Sequence, residues 1–208
     1  MKTACTGVIL AGGLNTRFSG QNKALIEIGG KRILDHLLEV FGGLFDDILL
    51  VTNHPLLYLD WNVEMVSDLF AVRSSLTGIH TGLFYARTPY VFFTACDTPF
   101  LKQAVVKAVV DRIAPQVDVV MPRTAAGMEP LCAVYAKTCL KPVERSLRQQ
   151  KFKIQRVFKQ HRIRSVSERV LRQIDPELMS FFNINRPEDL EQAESLLAAG
   201  SKRDRTDF

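Results

Sequence analysis

Seven apolar, β-type runs alternate with amphipathic helical patterns along most of the chain. No other feature constrains the fold as much. The runs are Thr6–Leu10, Asp47–Thr52, Val63–Val66, Tyr90–Cys96, Val117–Met121, Leu131–Tyr135 and Phe181–Ile184. Between them, Ile33, Leu37, Leu38, Val40 and Phe41 share one helical face. Ile79, Leu83 and Phe84 share a second, and Val105, Val106, Val109, Val110 and Ile113 a third. Pro187 opens and Gly200 closes a last helix, Glu188 to Ala199. Such a rhythm predicts a three-layer, Rossmann-like α/β fold: a mostly parallel sheet with helices on both faces. Ligands of such sheets bind at the carboxyl ends of the strands, near the switch in strand order. With 208 residues, 47% of them hydrophobic, one domain over residues 1–200 is expected, followed by a polar tail, 201–208. A chain of this size buries roughly 70% of its unfolded surface.

The first strand empties into Leu10-Ala11-Gly12-Gly13, followed by Arg17, Gly20 and Lys23. Glycines let the backbone approach an anion and aim N–H groups at it. Arg17 as a fork and Lys23 as a point charge would neutralise phosphate. The spacing is not G-x-x-x-x-G-K-[ST], since Ala24 follows Lys23. It is not G-x-G-x-x-G either, since Gly12 and Gly13 are adjacent. The fourth run ends in Asp97, before Pro99. A carboxylate there points at the ligand crevice and suits Mg2+ bridging phosphates. The plainer alternative is a cap on a helix starting near Phe100.

Charge is unevenly placed. The chain carries +5 overall, yet Lys141 to Arg172 holds eleven Lys/Arg against Glu144 and Glu168, a local +9. That run reads as a solvated face or as a surface attracting an anionic substrate. Phe152 and Phe158 are its only aromatics, and no RNA- or DNA-binding signature accompanies them, so no nucleic-acid partner is expected. Cys5, Cys96, Cys132 and Cys139 form no C-x-x-C pair and His36, His54, His80 and His161 are scattered. Reduced thiols and no zinc site are expected, with His80 structural. There is no apolar stretch of membrane length and no signal-peptide pattern at the start. A cytoplasmic enzyme with no membrane contact is expected.

The pattern L-A-G-G-x-x-x-R-x-x-G-x-x-K resembles the nucleoside-triphosphate loop of the nucleotidylyltransferases. Together with Cys96-Asp97-Thr98-Pro99-Phe100-Leu101 and Phe182-Asn183-Ile184-Asn185-Arg186-Pro187-Glu188-Asp189-Leu190, it resembles the molybdenum cofactor guanylyltransferase family. Val51-Thr52-Asn53, Val66-Ser67-Asp68, Gly78-Ile79-His80-Thr81-Gly82-Leu83 and Glu129 to Tyr135 fit the same pattern, so the likeness runs from Gly7 to about Gln192. The resemblance implies a nucleotidyltransferase fold. It also implies transfer of GMP from GTP to the terminal phosphate of molybdopterin, with pyrophosphate released. Its implied partners are GTP, molybdopterin, and proteins of cofactor biosynthesis or cofactor acceptance. By the same resemblance Leu10, Ala11, Gly12 and Gly13 cradle the nucleotide and Lys23 contacts phosphate. Asn53 and Asp68 line the guanosine side, Asp97 holds Mg2+, and Asn185 serves the metal or the acceptor. One carboxylate can accept from both guanine N1–H and the guanine amino group, which suits Asp68. Ordinary turn chemistry is the alternative for Asn53 and Asp68.

Asn22 stands where an acidic residue commonly precedes the loop lysine, and Arg73-Ser74-Ser75-Leu76-Thr77-Gly78 lacks the family's Gly-Pro pair. The implied chemistry is in-line displacement, with Arg17, Lys23 and Asp97 compensating charge and no Ser, Cys or His nucleophile. The rivals are a cytidylyltransferase or other NTP transferase acting on molybdopterin or another phosphorylated acceptor, and a non-catalytic nucleotide-binding module. A glycosyltransferase would show Asp-x-Asp where this chain has Asp97-Thr98-Pro99.

Overall fold

The computed structural model describes residues 4–12 and 22–203. Within them, the first half of the chain forms β1 (Cys5–Leu10), β2 (Glu27–Ile28), β3 (Lys31–Arg32), α1 (Ile33–Gly42), β4 (Ile48–Val51), β5 (Glu64–Val66), α2 (Ser75–Tyr85) and β6 (Tyr90–Ala95). The second half forms α3 (Gln103–Val110), β7 (Val119–Thr124), β8 (Gly127–Met128), β9 (Cys132–Ala136), α4 (Leu140–Arg148), α5 (Ile154–Val157), β10 (Ile163–Ser167), α6 (Glu168–Ile174) and α7 (Pro187–Arg203).

Eight strands make one sheet, in the order β10-β7-β9-β6-β1-β4-β5 with β8 added to β7. β5, β4, β1 and β6 are parallel neighbours. β9 runs against both β6 and β7, and β10 is parallel to β7. The chain steps from β1 out to β4 and β5, and α2 then returns it to β6 on the other side of β1. The order therefore switches at β1, and its carboxyl end opens the crevice. β2 and β3 form a separate hairpin whose turn, Gly29-Gly30, has φ of +61° and +77°. Glycine meets that requirement without steric cost.

The pleat divides the core into two layers. Ile9, Leu50, Phe92 and Val134 face the helices α1, α3 and α6. Val8, Leu49, Phe93 and Tyr135 face α2 and α4. Glycine at position 7 is set by packing: a Cβ there would lie 2.5 Å from Phe45 and 2.6 Å from Phe41. Those rings and Phe92 form an edge-and-stack trio over β1. On the opposite face Gly82 of α2 touches Phe93 and Val8, and Gly78 touches Leu10, so α2 lies directly on the sheet.

The expected mostly parallel α/β fold is the one found. Three local expectations are corrected. Phe181–Ile184 is not a strand. Met179–Phe181 is a 3-10 turn, and the chain then crosses the end of β6, where Ile184 N–H donates to Asp97 O at 2.9 Å. Lying beyond the strand ends, it has no strand alongside to pair with. Its apolar residues fill the end of the core instead, with Ile184 fully buried. The sheet edge is taken by β10, of which only Val166 is buried, so no apolar run announced it. Finally, α7 continues through Gly200 to Arg203. A glycine inside a helix costs roughly 1 kcal/mol, which is a weakness and not a stop. Ser201 to Arg203 of the expected tail belong to that helix, and residues 204–208 lie outside the described residues. No helix is long and apolar enough to cross a membrane.

Candidate active site

The four parallel strands stop in register. Leu10 pairs with Val51 and with Ala95, and Val51 pairs with Val66. Two positions beyond those ends stand Gly12, Asn53, Asp68 and Asp97. The backbone ladder reaches one residue further, through Ala11 N–H to Val51 O (2.8 Å), Cys96 N–H to Leu10 O (3.1 Å) and Thr52 N–H to Val66 O (2.9 Å). Side chains take over from there and form two groups on either side of β1.

On the β4–β5 side, Asn53 and Asp68 hold each other reciprocally. Asn53 Nδ2 donates to Asp68 Oδ2 at 2.9 Å, and Asp68 N–H donates to Asn53 Oδ1 at 3.1 Å. Thr81 of α2 donates its hydroxyl to Asp68 Oδ1 at 3.3 Å. Gly12 abuts the same carboxylate: a Cβ there would lie 3.8 Å from Asp68 Oδ2. Thr81 was not legible as a site residue, because it sits inside an apolar helical pattern. α2 starts beside this group, where Ser74 caps it by accepting from Thr77 N–H at 3.1 Å. Ser74, in the stretch that lacks the Gly-Pro pair, is thus a helix cap.

On the β6 side, Lys23 Nζ lies 3.2 Å from Asp97 Oδ2 and 3.0 Å from Asn185 Oδ1. The side chains of Lys23 and Asp97 are 16% and 21% exposed, so the pair is largely shielded from water yet open on one side. Lys23 begins a 3-10 turn, Lys23–Leu25, capped by Asn22, whose Oδ1 accepts from Ala24 N–H. Asn22 Nδ2 also reaches Tyr58 Oη at 2.6 Å. The residue that departs from the acidic pattern is therefore used as a cap. Asn185 is fixed from behind: Asp189 Oδ2 accepts from Asn185 N–H (2.7 Å) and Arg186 N–H (2.8 Å). An acid in the first turn reaching back to the entry of a helix is half of a capping box.

Asp97 is not a helix cap, since α3 begins at Gln103 after Lys102. Leu10 is half-buried at the end of β1 and Ala11 is buried beyond it. Gly13 and Arg17, with Gly20, lie outside the described residues. All four cysteines are free and buried. Cys96, next to Asp97, is pushed up to about 12, first by burial and then by the Asp97 charge, which leaves it a thiol and no nucleophile. His80 is buried edge-on to Phe70 at 4.9 Å, and burial lowers its pKa.

Asp97 and Asn185 gather two hard oxygens on one ammonium. Among the described residues no group of three His, Cys, Asp or Glu forms a metal cluster. Such a pair of hard oxygens would suit Mg2+ only with phosphate oxygens added to its shell.

Solved structures of known proteins superpose on this fold. In the crystal structure of Molybdopterin-guanine dinucleotide biosynthesis protein A from Archaeoglobus fulgidus, the superposition has a TM-score of 0.79 at 28% identity, covering 93% of this chain and 99% of that one. A 2-C-methyl-D-erythritol 4-phosphate cytidylyltransferase from Thermus thermophilus shares the fold, with a TM-score of 0.68 at 17% identity over 94% of this chain and 98% of that one. In sequence the chain is 48% identical over 197 residues to a molybdenum cofactor guanylyltransferase of Desulfosudis oleivorans, covering 95% of this chain and 98% of that protein. It is 36% identical to a probable molybdenum cofactor guanylyltransferase of Natranaerobius thermophilus, covering 92% and 96%. Residues 7–166, from within β1 to the buried valine of β10, match the MobA-like NTP transferase domain, and the chain belongs to that family of nucleotidyltransferases.

Proposed function

We propose that this enzyme transfers GMP from GTP to the terminal phosphate of molybdopterin and releases pyrophosphate. The reading rests on one observation: four parallel strands ending in register, each followed two residues later by Gly12, Asn53, Asp68 or Asp97. It is supported by the names of the relatives with 48% and 36% identity.

Asp68 reads the base. Each of its oxygens accepts one described hydrogen bond, Oδ2 from Asn53 and Oδ1 from Thr81. A carboxylate has about four acceptor positions. One lone pair on each oxygen matches the two adjacent donors of guanine, N1–H and the amino group. Cytosine has no pair of adjacent donors: beside its amino group stands the N3 acceptor, which would face a carboxylate oxygen and stay unpaired at a cost of roughly 1–3 kcal/mol. Gly12 and Gly13 let the triphosphate approach the backbone, and Arg17 and Lys23 face its charge.

Asp97, with Asn185 beside it, would hold Mg2+ against the triphosphate. When bound there, the ion neutralises charge on the phosphates and on the departing pyrophosphate. The acceptor phosphate is already an anion near neutral pH, so its oxygen attacks the α-phosphorus without a strong base. Positioning and charge compensation by Lys23, Arg17 and the loop N–H groups supply the rest. We place the enzyme in the cytoplasm.

The test incubates the purified protein with molybdopterin, Mg2+ and each of the four nucleoside triphosphates, and measures pyrophosphate. Release is expected with GTP and only when molybdopterin is present. Equal release with CTP would remove the guanylyl assignment, and release without acceptor would remove the transfer.

A further inference from the structure

Asp175 ends α6 and is completely buried. Its Oδ2 accepts from Ser180 N–H at 2.8 Å, and its Oδ1 lies 2.7 Å from Lys102 Nζ. Ser180 Oγ in turn accepts from Lys102 N–H at 3.1 Å. Lys102 belongs to the loop that follows Asp97, so this three-residue knot ties residues 175–180 to that loop. Two further contacts continue the tie toward the active site. Phe182 packs on Phe100, with ring centroids 5.8 Å apart, and Ile184 N–H donates to Asp97 O at 2.9 Å. The next residue is Asn185, whose carboxamide shares Lys23 with Asp97.

We propose that Asp175 is a positioning residue: through Lys102 and Ser180 it sets the register of the 175–185 segment, and so holds the Asn185 carboxamide at Lys23 beside Asp97. The inference rests on the reading of Asp97 and Asn185 as active-site residues. Two features set the knot apart from ordinary packing. Leu178, between Asp175 and Ser180, takes a left-handed φ of 54°, which a leucine keeps only where its surroundings impose it. The ion pair is also a poor device for stability alone. A buried carboxylate loses much of its attraction to desolvation, and the Lys102 side chain is 45% exposed, with water as an alternative partner. What the pair supplies is a fixed geometry. Hydrogen bonds to Ser180 and the pairing with Lys102 outweigh burial, which alone would raise the Asp175 pKa, and hold it below the usual carboxylate range.

The test is a double-mutant cycle on the full chain. Asp175→Asn keeps the side-chain volume and an oxygen for Ser180 N–H. It is expected to lower kcat roughly tenfold, as loss of an outer support commonly does, with KM for GTP within about twofold. In an Asn185→Ala background the same substitution should cost nothing further, because its effect passes through Asn185. Lys102→Met, at an exposed position, should reproduce the loss if Asp175→Asn folds poorly, and Lys102→Arg should retain activity. A second readout needs no turnover. The side-chain amide resonances of Asn185, assigned by their absence in Asn185→Ala, should shift in Asp175→Asn. Losses that add in the double variant, or Asn185 resonances unmoved, would overturn the proposal. Were the wild-type protein inactive with GTP and molybdopterin, the transfer reading would fail while the resonances still decided the role of Asp175.

Discussion

The two halves of the candidate active site are built by opposite means. On the β4–β5 side, Asn53, Asp68 and Thr81 lie within 28 residues of one another in the chain, and hydrogen bonds centred on the Asp68 carboxylate and backbone join them. On the β6 side, Lys23, Asp97 and Asn185 come from three distant segments, gathered by an ammonium. The first group is a fixed set of acceptors, suited to reading a neutral base by its pattern of donors. The second is a balance of charge, suited to ligands that bring several charges at once. On the proposed reading, identity would be read by local chemistry, and charge handled where long-range topology brings segments together.

The largest expected effect removes the charged half. Asp97→Ala should cut turnover by on the order of a thousandfold, several kcal/mol at 1.36 kcal/mol per tenfold. The melting midpoint should fall only modestly, since Lys23 loses a largely shielded partner but no helix loses a cap. Turnover and melting measured on one preparation check it. A folded variant with near-normal turnover would break the contrast between the halves.

The next effect belongs to the reading half. Asp68→Asn puts a donor where guanine presents donors, and should lower kcat/KM for GTP by roughly tenfold to a hundredfold, the worth of a hydrogen bond to a charged group. Discrimination against CTP should shrink by a similar factor. Competition kinetics with paired nucleotides measure both. Unchanged discrimination would move base reading elsewhere.

A smaller effect concerns charge beyond the active site. Lys151 and Lys153 are exposed on the turn after α4, in the segment that carries +9. If that surface gathers the anionic acceptor, reversing both to Glu should raise KM for molybdopterin a few-fold at low salt. The effect should fade near physiological ionic strength, where the screening length is about 8 Å. Identical KM at low salt would return the segment to a solvated face.

The smallest is a pH effect. Asp175 has a depressed pKa in the folded protein, so the unfolded chain binds more protons in mild acid. Its contribution to stability is complete above the unfolded carboxylate value, about 3.9, and is lost as pH falls toward the folded value. Melting midpoints followed from about pH 6 to about pH 3 should fall less steeply in Asp175→Asn than in the wild type.

How much of this was legible follows from burial. β1, β4 and β6 are covered on both faces, so their sequences are apolar runs and their ends, with Asn53 and Asp97, stand out. The same logic misled at Phe181–Ile184, where apolar residues cover the end of the sheet without joining it. β10 was illegible because an edge strand with one buried residue has no pattern to show. Thr81 meets Asp68, and Asp175 meets Lys102 and Ser180, only in three dimensions; Asp175 reads locally as the first half of an Asp-Pro turn.

The glycines of α2 have a consequence for the order of assembly. Thr77, Gly78, Thr81 and Gly82 are poor helix formers, and each glycine costs up to about 1 kcal/mol relative to alanine. Alone in water this eleven-residue helix is too short and too weak to persist. It gains its stability from lying flat on β1 and β6, so it persists only where the sheet is formed. Nascent chains should therefore acquire nucleotide affinity late, after β6 has docked. Substitutions along α2 should speed unfolding and leave the folding rate nearly untouched.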